Sequence, residues 1–71
     1  MTDETRTKLS TIAAPYGREI RLEDVLFESG MRLMRVTIRE GHRFTIFEID
    51  AETAIKWAGS MQSWAEQVGT P

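Results

Sequence analysis

Between Arg18 and Asp50 the chain alternates apolar and polar residues, with turn signals at Ser29-Gly30 and Glu40-Gly41-His42. A period of two puts successive side chains on opposite faces of a strand, and short glycine gaps between such runs mark hairpins. The register can be checked from within, because a slip of one residue moves every side chain to the wrong face. With Gly41-His42 as a two-residue loop, Arg39 faces Phe44, Ile38 faces Thr45 and Thr37 faces Ile46. Val36 then faces Phe47, Arg35 faces Glu48 and Met34 faces Ile49. One face collects Met34, Val36, Ile38, Phe47 and Ile49, and the other holds an Arg35–Glu48 pair beside Phe44 and Ile46.

With Ser29-Gly30 as the first loop, Val25 faces Met34, but Ile20 and Leu22 have the opposite parity to Val25 and Phe27. A β-bulge at Glu23-Asp24, both opposite Arg35, restores a common face. Leu22 then meets Val36 and Ile20 meets Ile38. The expected core face is Ile20, Leu22, Val25, Phe27, Met34, Val36, Ile38, Phe47 and Ile49.

Asp50 suits a helix N-cap, and Glu52 lies in the first turn, where the helix dipole favours a negative charge. A helix is expected from Ala51 to about Gln67, with Gly69 as its stop and Pro71 beyond it. Ala51, Ala54, Ile55, Trp57, Ala58, Met61, Trp64, Ala65 and Val68 form one apolar arc. At 100° per residue that arc is about 180° wide. The fold class expected is α+β: a three-stranded antiparallel meander with one C-terminal helix packed on one face. Residues 1–13, charged and threonine-rich, read as a flexible N-terminal tail, with residues 14–71 as a single β-β-β-α domain. Leu9, Ile12 and Tyr16 are the anchors by which that segment would add an edge strand or fold over the sheet.

Seventy-one residues allow one domain with a thin stability margin. Small domains often add a disulfide, a metal or a partner subunit. Cysteine is absent and His42 is the one histidine, so disulfides, thiolate sites and multi-histidine sites are excluded, and self-association is the staple left. Nine basic and eleven acidic residues give a net charge of −2, without global attraction to nucleic acid or anionic membranes. No run approaches the roughly 18 apolar residues of a membrane span, and the N-terminus lacks an apolar signal region. The cytoplasm is the expected location.

His42 reads as an exposed turn residue, with no nucleophile placed beside it by any motif. The Glu23, Asp24, Arg35 and Glu48 group reads first as a cross-strand ion network fixing register, and second as paired catalytic carboxylates. Arg18, Arg21, Arg32, Arg35, Arg39 and Arg43 with Phe44 and Ile46 suggest a platform for single-stranded nucleic acid. Seven acidic residues in the same stretch oppose that reading, as does the single aromatic on that face. Trp57 and Trp64 are assigned to helix-face packing ahead of ligand stacking or an interface. The face away from the helix, carrying Leu26, Leu33, Phe44 and Ile46 with Arg35 and Arg39, is the expected interaction surface.

The run APYGREIRLEDVLFESGMRLMRVTIREGHRFTIFEIDAETA, Ala14 to Ala54, resembles a family of short uncharacterised bacterial proteins. That resemblance implies a compact domain without assigned activity. The stretch Asp50 to Trp64, following a strand, more loosely resembles the last strand and helix of coactivator-type single-stranded-DNA-binding domains, which are dimers. The leading expectation is a non-enzymatic protein-interaction module, a homodimer or accessory subunit, without catalytic, cofactor or metal residues. A single-stranded nucleic-acid-binding domain is the alternative.

Overall fold

The computed structural model describes residues 4–69. Four strands, β1 (Glu4–Ala14), β2 (Arg18–Phe27), β3 (Arg32–Glu40) and β4 (Arg43–Ile49), precede one helix, α1 (Ala51–Gly69). The strands form one antiparallel sheet in the order β1-β2-β3-β4. The sheet therefore has four strands, where alternation alone predicts three.

The additional strand is the segment read as a tail. Residues 4–13 lie in β1, and its pairing with β2 runs from Glu4–Phe27 to Ala14–Arg18. Apolar alternation misses β1 because its strand-forming residues include Thr5, Thr7 and Thr11, whose branched Cβ suits a pleated surface without an apolar side chain. Pairing also satisfies the outer row of backbone amides and carbonyls of β2. A register shift between Lys8 and Ser10 marks a bulge in this strand. Bulges and lysines on edge strands discourage unwanted pairing with other chains. Residues 1–3 of the expected tail lie outside the described residues.

The β3–β4 hairpin has the expected register, with Val36 opposite Phe47 and Arg35 opposite Glu48. Gly41 takes φ 61°, the sign that the first loop position of a type II′ turn requires. The β2–β3 hairpin differs from expectation. Ile20 pairs with Ile38 and Leu22 with Val36, but the pairing continues without a bulge to Asp24–Met34 and Val25–Leu33. The extra residue is absorbed in the loop. The Phe27 N–H donates to the Met31 carbonyl at 2.8 Å, the Gly30 N–H donates to the Phe27 carbonyl at 2.9 Å, and Gly30 adopts φ 93°. This is a three-residue loop closed by a left-handed glycine. Alternation along β2 consequently places Val25 and Phe27 on the face away from Leu22, and Asp24 and Leu26 on the face that Leu22 shares.

Asp50 caps α1: its carboxylate Oδ1 accepts from the Thr53 N–H at 2.8 Å. The Thr53 side chain first, and then this backbone bond, hold the Asp50 carboxyl below its ordinary range. The helix continues through Gly69, two residues past the expected end, and Pro71 lies outside the described residues.

Val25 and Val36 are the fully buried side chains among the described residues, one on each face of the sheet. Val36→Ala removes two methyl groups from under α1 and should cost about 2–3 kcal/mol through lost transfer and cavity terms. Urea denaturation should show a lower midpoint with an unchanged slope.

Candidate interaction surfaces

The strand register decides what lies under the helix. Ile12 of β1 pairs with Ile20, Ile20 with Ile38, and Leu22 with Val36, so one apolar row crosses the sheet. Met34 and Ile49 extend it. Above this row α1 presents Ala54, Trp57, Ala58 and Met61, at i, i+3, i+4 and i+7 and so on one helix face. Between helix and sheet runs a cleft of about 270 Å³, and every side chain lining it is apolar. The Phe47 and Trp57 rings meet at 5.9 Å between centroids with a 35° tilt. The small Ala54 and Ala58 leave the rest of the space unfilled.

The helix is laid on the sheet but not buried in it. None of its residues is buried, and Ile55, Trp64 and Val68 are each about two-thirds exposed or more. Trp57 is partly covered by Phe47, whereas Trp64 lies outside the cleft. The expectation that both tryptophans pack as core therefore fails for Trp64. The apolar arc continues past Met61, where the cleft ends, and Trp64 and Val68 are left exposed.

The opposite face carries charge. Arg35 donates through Nη1 and Nη2 to the two Glu4 carboxylate oxygens at 3.1 and 3.2 Å. Its Nε and Nη2 also donate to Glu48 Oε2 at 2.8 and 2.6 Å. The bonds to Glu4, then those to Glu48, raise the Arg35 pKa. Since Arg6 and Leu33 both pair with Val25, the Glu4–Arg35 bridge crosses β2 over Val25. Glu19 accepts from Arg21 Nε at 2.7 Å and lies 3.7 Å from Arg39, and chiefly the bond from Arg21 holds its carboxyl below the usual range. A shallow bowl of about 770 Å³ occupies this face, with Arg6, Lys8, Glu23, Phe44 and Ile46 among its walls.

Of the residues expected to form an interaction surface, Leu33, Arg35, Arg39, Phe44 and Ile46 share this ionic face. Leu26 does not, because the loop register turns it to the helix side, where it is exposed. Asp24 also lies on the helix side, joined to Arg32 at 2.8 Å, and not beside Arg35 as the bulge would place it. Glu4 takes that role. It belonged to the supposed tail, and its charge opposite the arginine row was the available signal. His42 is exposed in the β3–β4 turn. Tyr16, at the tip of the first hairpin, is almost fully exposed, takes φ 65°, and lies under the Arg18 guanidinium at 5.7 Å. Among the described residues no group of three acidic or histidine side chains is placed to hold a metal ion. No described helix is long and apolar enough to cross a membrane.

Replacing Arg35 with alanine leaves Glu4 and Glu48 facing each other and uncovers Val25. The expected loss is about 1–3 kcal/mol, read from urea denaturation at neutral pH. Acid should act in the same direction. Glu19 and Asp24 are held below their ordinary values of 4.5 and 3.8, each chiefly by an arginine hydrogen bond. A lowered carboxyl contributes stability above its unfolded value and loses it as pH falls through the folded one. The urea midpoint should therefore be flat from pH 7 to about 5 and fall below about pH 4.

Residues 3–67 match a family described as Family of unknown function (DUF6967), and the chain belongs to that family. No curated protein and no solved structure matches it.

Proposed function

We propose that this family member is a non-enzymatic protein-interaction module whose contact surface is the apolar cleft under α1 together with the exposed end of that helix. One observation carries the reading: the cleft is lined by apolar side chains throughout, and the helix above it has no buried residue. A contiguous apolar surface of this kind marks a contact site. Nothing lining the cleft is titratable or nucleophilic, so nothing there moves a proton or attacks a bond. A small-molecule site also needs a few polar groups to orient its ligand, and this lining supplies none.

The nucleic-acid alternative is less well supported. Affinity for phosphates comes from cations that displace counterions. Five of the six arginines named for that surface, Arg18, Arg21, Arg32, Arg35 and Arg39, lie within 4.0 Å of a carboxylate. Their charge is already balanced within the chain.

Tryptophan emission reports on the cleft. In the single chain, obtained by dilution or by Trp64→Glu, emission should be red-shifted and quenched by acrylamide, and a hydrophobic dye should bind the folded protein. Blue, quench-resistant emission without dye binding would mean that the cleft closes on itself, and would end the proposal. A salt-dependent anisotropy change with labelled single-stranded oligonucleotide would favour the alternative.

A further inference from the structure

We infer that the occupant of this surface is a second copy of the same chain, which inserts the end of its own α1, Trp64 and Val68, against the open edge of the cleft. The inference rests on the interaction-module reading and names its partner.

Surface area is the first argument. A compact monomer of 8.1 kDa should expose about 4,500 Å². This chain exposes 5845 Å². The excess, roughly 1,300 Å², is more than the ~800 Å² that each partner contributes to a standard interface. Shape agrees with area. The radius of gyration is 14.3 Å, where about 11 Å is usual for this length, and the smallest extent is only 15 Å. The missing burial is on the scale of one interface.

Self-complementarity is the second argument. A two-fold interface requires each copy to carry both halves of the contact, so that residue i meets j and j meets i. Here each copy carries a ridge and a receptor. The ridge is Trp64 and Val68, both about two-thirds exposed and outside the cleft. The receptor is the open edge of the cleft, where Ile12 of β1 and Met61 of α1 stay about half exposed. The chain has no disulfide to replace the missing burial, and its net charge of −2 opposes pairing only weakly. The ionic face is a poorer candidate, because its exposed Phe44 and Ile46 stand among arginines that are already paired with carboxylates.

Sedimentation equilibrium of the full chain tests this. The wild type should have the mass of two chains at tens of micromolar. Trp64→Glu should weaken self-association about thirtyfold or more while keeping the far-ultraviolet spectrum. Val68→Glu, in the last turn, should do the same and serves if Trp64→Glu fails to fold. Ile46→Glu, on the ionic face, should leave the dimer intact. A wild-type mass of one chain at the highest soluble concentration overturns the inference. If the tryptophans then remain open to acrylamide, the module reading survives with a different protein as partner. If they are shielded, both readings fail. A dimer broken by Ile46→Glu but not by Trp64→Glu or Val68→Glu overturns the helix-side placement.

Discussion

A β-sheet has two faces, and this chain supplies one helix. Most other features of the structure follow from that shortage. On the helix side the apolar row from Ile12 to Ile49 is covered along one strip by Ala54, Trp57, Ala58 and Met61, and the cover is incomplete. On the other side the described residues supply no second helix, and ion pairs take its place. Arg35 reaches across β2 to Glu4 and along its own hairpin to Glu48. The aliphatic stem of an arginine shields apolar surface while its head stays hydrated, so Val25 is buried with no layer of secondary structure above it.

The two solutions differ in kind. An ion network on an open face contributes modestly per pair but is indifferent to partners, because its charges are matched internally. An uncovered apolar strip is the reverse: it costs solvation free energy until something lies on it. The same sheet therefore presents one closed face and one open face. The mixed surface of Arg35, Arg39, Phe44 and Ile46, which reads from the sequence as an interface, is the more self-sufficient of the two.

The legible parts were those where two independent patterns had to agree. The β3–β4 register was fixed because apolar residues and the Arg35–Glu48 pair both demanded it, and the structure has that pairing throughout. The helix was fixed by its cap and its apolar arc. The β2–β3 hairpin was half legible. Ile20 and Leu22 have the expected partners, but one surplus residue can be placed in the strand as a bulge or in the loop as a left-handed glycine, and parity alone does not choose. That single ambiguity moved Val25, Phe27, Asp24 and Leu26 to the faces opposite those expected. β1 was illegible to an apolar pattern because threonine forms strands without contributing to the core. The unfilled cleft could not be read at all, since the distance between helix and sheet is set by side-chain volumes at Ala54, Ala58 and the Phe47–Trp57 contact together.

The sheet order follows the chain order without a crossover, and the turns between strands are short. Each hairpin can therefore close with little loss of loop entropy, and each strand templates the next. Contacts that are near in sequence make for fast folding. The helix comes last in the chain, attached to β4 by Asp50 alone, and none of its residues is buried against the sheet. The helix side is therefore the surface that can be covered only once the strands beneath it have paired.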